Sequence, residues 1–129
     1  FESLRAFGMA VGLAFQIQDD LINLTGSDKS KDFRIDITEG KRTLVAIHAL
    51  KNSLESDELL RILEMHTNDD AMKARAVEIM KQAGSLDYAR NYALGLVTEA
   101  KSQLNDALPA SRAKDILLSM ADYFIDRKM

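Results

Sequence analysis

Apolar side chains recur at three- and four-residue spacing from the start of the chain (Leu4, Phe7, Val11, Ala14, Phe15, Leu21, Leu24) with no proline among them, which predicts a helix over 4–24. Between Ala6 and Ile17 that helix is apolar on nearly every side, the pattern of a helix in the middle of a bundle. Gly26, Ser27 and Ser30 interrupt the period, so 25–39 read as a loop. The pattern resumes over 41–52, with Leu44, Ile47, His48 and Lys51 on one side and Val45, Ala46 and Ala49 alongside. Ser56 is placed to cap a short helix over 57–64 whose acidic first turn suits the dipole. Asn68 is placed to cap another that stops at Gly84. Ser85 then opens, as its cap, a long helix to Ala107 with Tyr88, Tyr92, Leu96, Ala100 and Leu104 on one face. Pro109 ends it, and Ser111 caps a last helix with a broad apolar side from Ile116 to Ile125. No period-two stretch exceeds a few residues, so the expected fold class is all-α, an antiparallel helical bundle.

Composition narrows the function classes. The 129 residues suit one compact unit, and 47% hydrophobic content with six Gly, one Pro and no internal repeat favours an ordinary helical protein. Seventeen basic against 20 acidic residues leave a formal charge of −3, with no basic stripe for nucleic acid. Cysteine is absent, which excludes disulfides and thiol chemistry and accords with a cytoplasmic location. No apolar run approaches the ~20 residues of a transmembrane segment, and the first residues lack a signal-peptide pattern.

The candidate chemistry lies at the polar end of the first helix. At ~100° per residue, Gly8, Gly12, Phe15, Gln16, Asp19 and Asn23 fall on one stripe with Asp20 beside it. Ionised groups closing an oily segment are expensive unless something uses them. Two carboxylates and an amide oxygen suffice for Mg2+, which takes one or two protein carboxylates plus substrate phosphates. An Asp-Asp pair alone is more often a solvated helix end, though slightly disfavoured there by the dipole. The following segment tilts the balance, because Lys29, Lys31, Arg34, Lys41 and Arg42 crowd near the acids and lysine is a flexible point charge suited to phosphate oxygens. Gly40-Lys41 is placed to open the next helix, whose N–H groups also favour anions. Asp69-Asp70 repeats the acidic pair in a first helical turn, where dipole stabilisation explains it. His48 reads as a satisfied core or interface histidine and His66 as a solvated one. No Glu-x-x-His occurs, so a di-iron bundle has no support.

These residues resemble the trans-isoprenyl diphosphate synthases, or polyprenyl synthetases. Phe15-Gln16-x-x-Asp19-Asp20-x-x-Asn23 is similar to that family's second aspartate-rich motif. Lys31-Asp32-Phe33-x-x-Asp36-Ile37-Thr38-Glu39-Gly40-Lys41 is similar to the segment that follows it, most closely in geranylgeranyl diphosphate synthases, and the likeness runs on to Leu108-Pro109, Tyr123 and Arg127. The resemblance implies a prenyltransferase joining isopentenyl diphosphate to an allylic diphosphate with Mg2+, on a partial isoprenoid-synthase fold. It implies Asp19 as a direct metal ligand, Asp20 as a direct or water-mediated one, and Asn23 as a weaker, neutral one. Lys31 and Lys41 would hold the allylic diphosphate, Gln16 would touch the substrate region, and Phe15 would wall the isopentenyl group. Of these, Asp19 and Lys31 are the expected catalytic pair, and the full-length protein is expected to be a homodimer.

Two departures qualify the likeness. Many members carry a third Asp where this chain has Asn23. The family's first aspartate-rich motif, with its arginines, has no counterpart here, and the chain starts at Phe1. Residues 1–129 are therefore expected to be the C-terminal portion of a single isoprenoid-synthase domain, inactive alone, with product length unreadable. The competing expectations are a non-catalytic regulatory subunit of a prenyl synthase and a plain helical interaction module. A terpene cyclase fits less well, because its second metal motif wants Ser or Thr and then Glu after the acids.

Overall fold

The helical period produces helices throughout. The computed structural model describes residues 2–26 and 34–126, with side chains to 123. The elements are α1 (Glu2–Thr25), α2 (Ile35–Glu39), α3 (Leu44–Asn52), α4 (Ser56–Met65), α5 (Asp70–Gln82), α6 (Ser85–Ala107) and α7 (Arg112–Asp126). No strand occurs among the described residues, and the all-α class holds. The chain forms two compact units: residues 1–18 with 91–129, and residues 19–90. Helix α1 gives its length through Gln18 to the first unit and its end, from Asp19, to the second.

In the second unit, α3, α4 and α5 pack on one another and the short α2 packs on α4 and α5. Leu21, Leu24, Ile37, Leu59, Ile62 and Ile79 are all essentially inaccessible there. At about 25 cal/mol per Å² of apolar surface removed from water, each such side chain stabilises by roughly 1.5–3 kcal/mol. The Arg75 guanidinium fixes the start of α4 against α5. It donates to Glu55, and its Nε lies 2.9 Å from Glu58 Oε2. Helix α3 meets the start of α6 through His48, whose Nδ1 shares a 2.7 Å hydrogen bond with the buried Ser85 hydroxyl and whose ring stacks on Tyr88. That is the satisfied histidine the sequence suggests.

In the first unit the core is small-sided: Ala14, Ala93, Ala100 and Ala121 are buried together with Phe7, Val97 and Leu104. The turn into α7 is closed by Lys114, a buried residue whose Nζ donates to the carbonyls of Asn105 and Leu108, both at 2.9 Å. A cation at orphaned C-terminal carbonyls also meets the negative end of the dipole of α6.

Several local expectations need correction. Residues 35–39 form α2 rather than loop. Gly40, at φ 67°, closes that helix instead of opening the next, which starts at Leu44 behind a Thr43 cap. Asp69, not Asn68, caps α5 by accepting from Ala71 N–H, and Ser56 is the first residue of α4 rather than its cap. Ser85 lies inside α6, its hydroxyl engaged by His48. The buried face of α6 runs Ala89, Ala93, Val97, Ala100, Leu104, so Tyr88 and Tyr92 stand on its exposed side. Alanines allow closer helix approach than tyrosines, whose hydroxyls favour water. Helix α1 is not enclosed by the described residues either: Met9 is 67% exposed and Leu13 47%.

Candidate functional site

The end of α1 places Asp19, Asp20, Leu21 and Asn23 within little more than one helical turn. Leu21 is buried, and that anchor presents Asp19 to solvent while drawing Asp20 inward. The chain returns through Arg34, whose backbone is left-handed (φ 50°) and whose Nε donates to the Leu24 carbonyl at 2.9 Å. Helix α2 then begins against α1, with Asp36 N–H donating to Asn23 Oδ1 at 3.2 Å. Ile37 is buried, and the Thr38 hydroxyl donates to the Thr67 carbonyl at 2.7 Å. The Thr38 carbonyl accepts from His66 Nδ1 at 2.9 Å, which makes that nitrogen the protonated one. His66 is exposed as expected, yet it carries this structural bond.

Gly40 completes the turn. A Cβ there would lie 2.6 Å from the Leu63 carbonyl oxygen in a conformation L side chains rarely adopt, so only glycine fits. The Lys41 N–H donates to the Asp36 carbonyl at 3.0 Å, and its ammonium stands 3.4 Å from Asp20 Oδ1. Asp20 has 10% of its side chain exposed and Lys41 has 45%, so the lysine reaches from water onto a largely desolvated carboxylate. The charges of Asp20 and Asp36, followed by the hydrogen bond to Asp20, raise the Lys41 pKa above its ordinary range. Asp36 is also raised: burial is the main cause, and Lys41 opposes it while Asp20 and Glu39 add to it.

The structure thus brings Asp20, Asn23, Asp36 and Lys41 together, with Asp19 exposed on the same helix end. Asp36 was not among the expected site residues. Its spacing to Lys41 and the intervening glycine were the available signal, but without α2 nothing showed that the two close one turn. Lys31 lies outside the described residues. Phe15 and Gln16 belong to the other unit, where Phe15 lines a groove of about 470 Å3 with Phe7, Val11, Ile116, Met120 and Tyr123. Gly8 and Gly12 are exposed, and a methyl at either would meet nothing within 4 Å. The groove expected over that stripe is therefore not closed by the described residues.

Among the described residues no three acidic, histidine or cysteine side chains are grouped to hold a metal. No described helix is long and apolar enough to cross a membrane.

Comparison with known proteins bears on the family of the chain. The family model described as polyprenyl synthetase matches residues 1–80. A geranylfarnesyl diphosphate synthase of Natronomonas pharaonis is 39% identical over 128 residues, covering 98% of this chain and 36% of that protein. A short chain isoprenyl diphosphate synthase of Methanothermobacter thermautotrophicus is 35% identical, covering 98% and 39%. The crystal structure of a geranylgeranyl pyrophosphate synthetase from Pyrococcus horikoshii superposes with a TM-score of 0.82 at 31% identity, covering 98% of this chain and 39% of that one. The chain therefore spans well under half the length of these relatives.

Proposed function

The chain belongs to the polyprenyl synthetase family, and from that premise we propose that it is the C-terminal portion of a prenyltransferase condensing isopentenyl diphosphate with an allylic diphosphate, of geranylgeranyl diphosphate synthase type. In this reading 1–129 belongs to one isoprenoid-synthase domain, carries its second magnesium-diphosphate motif, and does not turn over alone. The whole protein acts as a cytoplasmic homodimer. The observation that carries the reading is the Lys41 ammonium 3.4 Å from Asp20 at the end of α1: carboxylates for a cation and an ammonium for phosphoryl oxygens occupy one place.

The donor set fits Mg2+ held jointly with a substrate. Asp19 and Asp20 supply hard anionic oxygens and Asn23 a neutral one, too few for a closed protein cage and enough for a cation shared with diphosphate. When bound, Mg2+ supplies a Lewis acid that draws off charge from the leaving oxygens.

The protein's own residues do the rest. Asp19, exposed and without an ion-pair partner among the described residues, offers its carboxylate outright. Asp20 is held in place by Lys41, and the ammonium remains half exposed, where it can also face an incoming phosphoryl oxygen. Being set in advance by α2 and Gly40, that charge need not reorganise as negative charge develops on the leaving group. Asn23 accepts the Asp36 N–H, so its first task is to hold α2. Lys31 supplies a second ammonium for the diphosphate, and the family resemblance assigns Gln16 and Phe15 to substrate binding.

Steady-state kinetics of the full-length protein test the reading. Asp19→Ala is expected to lower kcat by about 10²-fold or more, and Asn23→Ala by about tenfold or less, because only the first removes a charge from the transition state. Equal losses contradict this ranking. Diphosphate binding that is unchanged by Mg2+ and by Asp19→Ala would remove the site altogether.

A further inference from the structure

The corner between α4 and α5 reaches onto the turn that carries Lys41. Buried Leu59, Ile62 and Leu63 root α4 in the 19–90 unit, and His66 ends that helix with a left-handed backbone, φ 53° and ψ 44°. Glycine or asparagine suits such a helix end, so a histidine there is strained unless its ring makes contacts that offset the strain. Two contacts do so. Nδ1 donates to the Thr38 carbonyl at 2.9 Å, and Cε1 lies 3.4 Å from where a Cβ on Gly40 would stand. The next residue repeats the hold, since the Thr67 carbonyl accepts from the Thr38 hydroxyl at 2.7 Å.

His66 is exposed, so its ring adds little to the core. What the ring meets is the end of α2 and the Gly40 turn, next to the residue whose ammonium stands 3.4 Å from Asp20. Local bonds give that turn its shape: Lys41 N–H donates to the Asp36 carbonyl at 3.0 Å, and Arg42 Nη1 donates to the Gly40 carbonyl at 2.6 Å. The bonds from His66 and to Thr67 tie the shaped turn to the α4–α5 corner.

We propose that His66 is a positioning residue that acts through Lys41: its ring, laid on the Thr38–Gly40 turn, sets where the Lys41 ammonium meets a diphosphate. This role rests on the reading of Lys41 as a diphosphate ligand. An ammonium on a four-carbon stem is flexible, so anchoring the backbone it springs from narrows where the charge can go. A charge set in advance stabilises a developing anion without reorganising.

The test compares His66→Gly with His66→Asn in the full-length protein. Both accept the left-handed backbone, but only asparagine keeps an N–H donor near the place of Nδ1. His66→Gly is expected to raise the KM for the allylic diphosphate about five- to tenfold, the scale of one hydrogen bond. Calorimetric affinity for inorganic diphosphate with Mg2+ should fall in step, the KM for isopentenyl diphosphate should stay put, and His66→Asn should recover the parent values. Lys41→Met should raise the allylic KM about tenfold or more, and adding His66→Gly to it should cost nothing further, because residues that act through one another are not additive. Unchanged binding in His66→Gly beside a harmed Lys41→Met, losses that multiply in the double variant, equal rises in both KM values, or no recovery in His66→Asn each overturns the positioning role and leaves the diphosphate reading standing. A Lys41→Met that binds and turns over as the parent does removes that reading, and the role of His66 with it.

Discussion

Gly40 carries the turn that delivers Lys41. Its left-handed backbone and the 2.6 Å approach to the Leu63 carbonyl leave no room for a methyl. Gly40→Ala is expected to cost about 1–3 kcal/mol in denaturant unfolding, from backbone strain of this kind plus the clash. Asp36 presents a different residue-scale effect. Its pKa is raised mainly by burial, so the folded state binds its proton more tightly than the unfolded chain does. The sign follows: ionised Asp36 costs stability at neutral pH, and the penalty is relieved as pH falls through its raised value toward the ordinary aspartate range. Asp36→Asn should therefore match or exceed the parent in stability at pH 7 and lose that advantage in acid, as read by thermal unfolding between about pH 4 and 7. A variant less stable at pH 7 and no better in acid would show that the coulombic attraction of Lys41 for the Asp36 carboxylate outweighs desolvation. Asp19, Asp20, Asn23 and Lys41 could all be picked out from residue types and spacing. The clasp between Asn23 and the Asp36 N–H could not, because it joins a side chain to a backbone group 13 residues away.

At the scale of elements, six of the seven helices among the described residues follow from periodicity together with cap and stop residues. The seventh, α2, has five residues, too few to display a period, and tertiary bonds from Thr38 hold it. Long side chains misled the assignment of the α6 face, since tyrosines at helical spacing look like core while the alanines between them are what is buried. Arg75 is the element-scale hinge of the second unit. Hydrogen bonding to it lowers the Glu58 pKa, and this bond is also the main reason its own pKa is raised. A depressed carboxyl pKa contributes stability above the ordinary range that is lost as pH falls through the folded value. Arg75→Met should accordingly lower the thermal midpoint modestly at pH 7 and low salt. The difference should shrink at about 1 M NaCl and in acid; a deficit insensitive to both would point to lost packing of the aliphatic stem instead.

The molecule as a whole is a family portion with open apolar faces. The first unit leaves Leu4, Met9, Leu13, Ile116, Met120 and Tyr123 exposed, and contiguous apolar surface of this kind is where chains associate. Isolated residues 1–129 should self-associate at concentrations of about 100 μM in sedimentation velocity, and Leu13→Glu with Met120→Glu should reduce the association. A single monomeric species in both would mean that these faces are harmless to water. All-helical class and family were legible because a long apolar period and a spaced acid-lysine motif are local signals. Division into two units was not, since it depends on which distant segments choose each other.

The alanine seam of the first unit determines where this protein is free to vary. Positions 14, 93, 100 and 121 each fill their space with a single methyl group, so an added carbon has nowhere to go without prising helices apart. Evolutionary drift is thereby steered outward, onto the exposed positions of α6 away from the alanine face and the polar flank of α5, where a change of size meets water rather than a neighbouring helix.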